Sequence, residues 1–199
     1  TYMLDGHMEH QDSMGNRGDL GPGSAQWMKA ASGVIHSEMP KQTNGLMRGF
    51  QLWINLPAAH KMDQPEYQEF AAEAFPVINT EDYALKVLIG RFADTAAPIV
   101  DSLTSVCYYD VQVHPGRHFQ HRLPAGNNSF LYVFEGAGQL DGQRVSQHSL
   151  VILDAENAGF DFTAGEKGAR LLVVSGRPIH EPIARYGPFV MNSREQIDQ

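Results

Sequence analysis

The sequence predicts an all-β protein built as two β-barrels in tandem, and three observations carry that prediction. Short apolar runs rich in β-branched and aromatic residues recur roughly every ten residues: "GFQLWINL", "ALKVLIGRF", "VCYYDVQV", "SFLYVFEG", "SLVILDA" and "RLLVVSG". Gly, Pro, Asn and Asp separate them, the punctuation of a sandwich or barrel. Finally, the two ends of the chain can be overlaid. "TYMLDGHMEHQDSMG" sets Tyr2, Asp5 and Gly6 against Tyr132, Glu135 and Gly136 of "LYVFEGAGQLDGQRV", 130 residues further on. Each copy reads as a strand, a Gly-bearing tight turn and a return strand. The alternative is two unrelated hairpins that share turn chemistry. The overlay divides the chain at residues 1–84 and 85–199, with a linker region near 57–85.

Taking the elements in order, "TYMLDG" reads as the end of a strand running into a turn, with no starting Met, so chain upstream of it is expected. His7 and His10 follow, three apart, and three residues along a strand place side chains on opposite faces. His10 is the better candidate for an interior position, as a donor behind a metal ligand or as a substrate contact, and His7 for the surface. "RGD" at 17–19 reads as a polar turn.

"SGVIHSEMP", residues 32–40, places His36 and Glu38 two apart, hence on one face of a strand, with Val34 ahead of them. Facing a cavity, an imidazole and a carboxylate suit a divalent iron, nickel, copper or manganese ion. A lone buried carboxylate there is costly unless it is paired, protonated or metal-bound. At a barrel rim the same pair is simply hydrogen-bonded and solvated. Spacing alone favours the rim reading, since H-x-E recurs often by chance.

Residues 64–75, "QPEYQEFAAEAF", read as a helix started by Pro65, or equally as an extended linker with one helical turn. In "HPGRHFQHR", Pro115-Gly116 marks a turn between His114 and the rest, and His118 and His121 are read as a solvated loop, with a second metal site as the alternative. "EGAGQLDG" contains a G-x-G but leads strand to strand, so it is a hairpin turn, not a phosphate loop. Cys107, the only cysteine, lies between apolar neighbours and reads as an inert buried thiol. Trp27, Met28 and Phe50 are wall or core residues.

Composition narrows the function classes. The 199 residues are 42% hydrophobic, enough for a real core. Fifteen basic residues against 23 acidic ones give a net charge of −8, and the basic residues are scattered, so direct nucleic-acid binding is not expected. The apolar runs are too short to span a bilayer, the N-terminus has no basic-then-apolar signal pattern, and one cysteine allows no internal disulfide. A soluble, cytoplasmic protein is the expectation.

The runs "EHQDSMGN", "QWMKAASGVIHSEMP", "LWINLP", "YQEF" and "YGPFVMN", in that order across essentially the whole chain, resemble the pirin family. The resemblance implies a bicupin, two tandem cupin (jelly-roll-like) β-barrels. It also implies one metal, usually Fe(II), with Ni, Cu, Mn or Co as alternatives, held in the first cupin by three histidines and one glutamate. His36 and Glu38 correspond to two of those ligands. The family's other two come from a His-Pro-His-Arg-Gly-Phe-Glu-Thr-Val run upstream of residue 1, so the expectation is a first cupin lacking its N-terminal strands in this chain. The second cupin is expected to carry no metal, and the "YGPFVMN" tail to pack back towards the first.

For activity, the resemblance implies a quercetin 2,3-dioxygenase type of oxidoreductase, with Glu38 as catalytic base, His36 as fixed ligand, and a flavonol-like aromatic substrate opened by O2 with release of carbon monoxide. The rival reading is a non-enzymatic regulator of transcription or metabolism whose metal tunes a protein-binding surface for a protein partner.

Overall fold

A computed structural model describes residues 1–41 and 44–198. By contacts the chain divides into two units, Thr1–Ala74 with Ile179–Gln199, and Phe75–Pro178. Among the described residues no helix is long and apolar enough to cross a membrane.

The first unit contains β1 (Tyr2–Asp5), β2 (Met8–Asp12), β3 (Arg17–Leu20), β4 (Ala25–Lys29), β5 (His36–Pro40), β6 (Arg48–Phe50) and β7 (Glu66–Phe70). They form two antiparallel sheets, ordered β6-β1-β4-β7 and β3-β2-β5. Met3, Met8 and Leu20 are buried together as its apolar centre.

The second unit contains β8 (Val77–Asn79), β9 (Tyr83–Ile89), β10 (Arg91–Phe92), β11 (Thr95–Ala96), β12 (Cys107–Val113), β13 (His118–Arg122), β14 (Asn128–Leu140), β15 (Gln143–Val145), β16 (Ser149–Ile152) and β17 (Gly159–Gly176). Its main sheet runs β15-β14-β17-β12-β9-β8, with β13 on β17 and β16 on β14. Alternating side chains of these strands, among them Val87, Val111, Phe119, Leu131, Phe162, Leu171 and Val173, fill one continuous core. β8 pairs with β9, so residues 77–79, placed before residue 85 in the sequence division, join the second unit's sheet.

The tail returns to the first unit as β18 (Ala184–Tyr186), β19 (Phe189–Met191) and α1 (Arg194–Ile197), the last started by a Ser193–Gln196 capping box. Buried Lys61 donates to Asn55 Oδ1 at 2.6 Å and to the Val190 carbonyl at 3.1 Å, and Ala58 N–H donates to Glu181 at 2.7 Å. The expected packing of the tail on the first domain is thus built from hydrogen bonds.

Several expectations are narrowed or corrected. Residues 64–75 take the second of their two readings: a strand, β7, paired with β4, followed by a single 3₁₀ turn at Ala72–Ala74. Hydrogen-bonding to β4 outweighs the helix preference of "EFAAEAF". "RGD" is no turn but part of β3, with Arg17 and Asp19 exposed. "HPGRHFQHR" keeps its Pro-Gly turn, but residues 118–122 form β13 on β17. In "GFQLWINL" only the first two residues lie in a strand, at the end of β6.

The overlaid glycines also behave differently from a hairpin turn. Gly6 (φ +79°) leads β1, which pairs with β4 and β6, into β2, which pairs with β3 and β5. Gly136 (φ +69°) lies at a bulge within β14, where its partners on β17 shift from residues 169–176 to 162–164. Both are corners that redirect a strand. The real hairpin is Asp141-Gly142, whose φ values of +46° and +81° are those of a primed turn. A Cβ on Gly136 would collide with the Gly168 carbonyl oxygen, a backbone atom. Gly136→Ala is therefore expected to cost at least about 1–3 kcal/mol, read as a lower urea midpoint.

Candidate metal centre

The site grows out of the register between β2 and β5. His10 lies directly opposite Glu38, and Asp12 directly opposite His36, so four polar side chains share one face of two neighbouring strands. His10, His36 and Glu38 bring one ligand-competent atom each within 4.8 Å of one another, the one such group of three among the described residues.

The three differ in exposure. His10 is fully buried, Glu38 is half-buried and His36 is exposed. The expected projection of His36 and Glu38 onto one face is observed, but His36 is not enclosed, because β5 is an edge strand of its sheet.

Glu38 is held by uncharged donors. Gln26 Nε2 bonds to its Oε1, Gln51 Nε2 donates to Oε2 at 2.9 Å, and the Thr1 hydroxyl donates to Oε1 at 3.3 Å. Gln26 belongs to β4, so this carboxylate joins the two sheets of the first unit. Tyr67 of β7 donates to Glu69 at 2.8 Å and lies 3.2 Å from Gln26 Oε1. Burial, and then the neighbouring Glu69 carboxylate, raise the Tyr67 pKa, so the phenol stays a donor. Gly18, opposite His10 on β3, leaves open the space that the Tyr67 hydroxyl and the Glu69 carboxylate occupy.

His10 is fixed on two sides. Its ring stacks on Tyr67 at 4.3 Å between centroids, 12° from parallel, and its Nε2 lies 3.2 Å from Asp12 Oδ2. Asp12 also accepts the backbone N–H of Met14 (2.9 Å) and of Asn16 (3.0 Å) and the Asn16 side-chain amide (2.8 Å). Burial works to raise the Asp12 pKa, but the bonds from Asn16, His10 and Met14 outweigh it and hold the carboxyl at about 2. Nδ1 of His10 is buried with no hydrogen-bond partner.

The remaining histidines lie elsewhere. His7 is exposed and pairs with Asp19 at 3.2 Å, as expected for a surface position. His114 Nδ1 lies 2.9 Å from the Glu81 carbonyl. His118 is exposed, while His121, expected in a solvated loop, packs against Phe92, Tyr109, Phe119 and Phe160, where burial lowers its pKa. Cys107 is half-buried and burial raises its thiol pKa, in keeping with an inert role. Trp27 and Met28 are half-buried on opposite faces of β4, and only Met28 shares the face of Gln26.

A divalent cation suits this donor set. Two imidazoles and a carboxylate lie close enough to share one ion, and an orphaned imidazole nitrogen is buried among them. Sequence reasoning missed Asp12, Gln26, Gln51 and Tyr67. For Asp12 a signal existed, since it stands two residues after His10 and so shares its face. The other three come from separate strands and loops.

The fold and the site together define a class, the all-β bicupins. Residues 1–54 match the family description "Pirin" and residues 108–199 match "Pirin C-terminal cupin domain". A protein of Pseudomonas aeruginosa named "Putative quercetin 2,3-dioxygenase" is 46% identical over 207 residues, covering 100% of this chain and 72% of the relative. A pirin-like protein of Caulobacter vibrioides is 41% identical over 201 residues, with the same coverage of 100% and 72%. The crystal structure of a quercetin 2,3-dioxygenase from Acinetobacter baumannii superposes with a TM-score of 0.93 at 32% identity, covering 99% of this chain and 70% of that one. The chain belongs to the pirin family.

Proposed function

We propose that this protein uses a divalent cation, held in part by His36 and Glu38, to open the ring of a flavonol-like aromatic with O2 and release carbon monoxide. The observation that carries this reading is the shared face of His36, Glu38 and His10, three metal-competent side chains converging from two paired strands. The names of the Pseudomonas and Acinetobacter relatives support the substrate class.

Fe(II) is the expected ion, and the nitrogen and oxygen donors suit Ni, Cu, Mn or Co as well. When bound, the cation supplies Lewis acidity that favours the ionised form of the flavonol hydroxyl. The rest falls to the side chains. His36 offers an imidazole nitrogen at the open edge of the site. Glu38 takes the hydroxyl proton on a carboxylate oxygen, leaving an electron-rich flavonolate to meet O2. Gln26 and Gln51 grip the two Glu38 oxygens separately, which keeps the carboxylate oriented before and after it gains the proton.

The test is anaerobic loading of the purified protein with Fe(II), followed by flavonol and then air. The expected result is bleaching of the flavonol's visible absorption with carbon monoxide evolved. Absence of both, with a protein partner retained only when metal is present, would replace this reading with the regulatory one.

A further inference from the structure

Residues 51–57 lie in no strand or helix, so the backbone that carries Gln51 is not fixed by a sheet. Side chains fix it instead. Trp53 Nε1–H donates to Gln51 Oε1 at 3.3 Å, and Gln51 Nε2 donates in turn to Glu38 Oε2 at 2.9 Å. An indole N–H donates and never accepts, so the amide atom it meets has to be the carbonyl oxygen. The amino group is thereby turned towards Glu38. Without the indole, a half-turn of the amide exchanges two groups of nearly equal size and sets an oxygen against the carboxylate.

Trp53 is itself braced. Its side chain is exposed, yet the Arg185 guanidinium of β18 stacks on the ring, 5.1 Å from the centroid. The residues that follow are tied to the same tail, Ala58 to Glu181 and Lys61 to the Val190 carbonyl. A line of contacts therefore runs from the C-terminal hairpin to the carboxylate, through Arg185, Trp53, Gln51 and Glu38.

We infer that Trp53 is a positioning residue for Glu38, acting through Gln51, and that Arg185 couples docking of the β18–β19 hairpin to cation binding at that carboxylate. The inference rests on Glu38 as a cation ligand in the reading above and adds to it a control from outside the donor set. Coupling of this kind is reciprocal: whatever the docked hairpin adds to cation affinity, the bound cation returns to the hairpin.

The test reads Co²⁺ affinity of the purified protein by visible absorption, with no substrate present. Trp53→Phe keeps an aromatic face for Arg185 and removes the N–H, so affinity should fall about three- to tenfold, the effect of one modest hydrogen bond. Gln51→Met should cost about 10–100-fold. Adding Trp53→Phe to Gln51→Met should change nothing further, because the relay is already cut, whereas a merely structural role for Trp53 would weaken both backgrounds equally. Arg185→Gln should cost about two- to fivefold. Amide hydrogen exchange over residues 184–191 should slow by a similar factor when Co²⁺ binds wild-type protein, and not in Gln51→Met. The chain has two tryptophans, so its ¹H–¹⁵N spectrum shows two indole signals. In metal-free Gln51→Met that of Trp53 should move and that of Trp27 should not. An unmoved Trp53 signal, or Co²⁺ binding that Trp53→Phe leaves intact while Glu38→Gln weakens it, overturns the inference and leaves the proposed function standing. Wild-type protein that binds no Co²⁺ removes the proposed function, and the inference with it.

Discussion

Glu38→Gln is expected to lower flavonol turnover by about 100- to 10,000-fold, the usual worth of a positioned general base. The amide keeps the size and much of the hydrogen bonding of the carboxylate, so the contacts to Gln26 and Gln51 that join the two sheets are not all lost. What it cannot do is accept the substrate's proton. Single-turnover absorption measurements, with flavonol bound anaerobically before mixing with O2, separate this step from binding. Wild-type rates in Glu38→Gln would remove the carboxylate from the chemistry and leave it as a strut between β4 and β5.

The second large effect concerns stability. Phe162 on β17 is fully buried in the core of the second unit, and its strand neighbours on β13 and β14 are Phe119 and Leu140. Phe162→Ala removes a ring from close-packed surroundings and leaves a cavity, at an expected cost of about 3–5 kcal/mol. Against a usual total of about 5–15 kcal/mol for a domain, that is a large fraction. Urea unfolding followed by near-ultraviolet circular dichroism should show a lower midpoint at an unchanged slope. A loss below about 1 kcal/mol would mean that the β13/β14/β17 core is packed less tightly than its burial indicates.

Much of this architecture was legible in the sequence because strands announce themselves locally. The alternation in "VCYYDVQV" and "RLLVVSG" puts Val111, Val113, Leu171 and Val173 into the core. What local pattern left open or misread is whatever depends on a distant partner. "EYQEFAAEAF" has helical composition, yet residues 66–70 hydrogen-bond to β4, some forty positions earlier. "RHFQH" looks solvated until β17 arrives to pair with it and the aromatic residues close on His121. Gly6 and Gly136 both take a positive φ, but a positive φ serves a strand corner as well as a hairpin, and only the pairing of the flanking strands distinguishes them.

The site divides in the same way. The shared face of His36 and Glu38 follows from the two-residue repeat of a strand. That His10 stands opposite Glu38 depends on the register of β2 against β5, which no local pattern specifies. Gln26, Gln51 and Tyr67 carry no charge and no ligand chemistry, so nothing marks them until the fold brings them to the carboxylate.

The most direct test of the central claim is an equilibrium titration of the purified protein with Co²⁺, read by its visible absorption, in wild type, His36→Ala and Glu38→Gln. The account predicts a single saturable site whose affinity falls at least about 100-fold in either variant, since even residues behind the ligands cost 10–100-fold in such sites. Undiminished binding and an unchanged spectrum in both variants would contradict it.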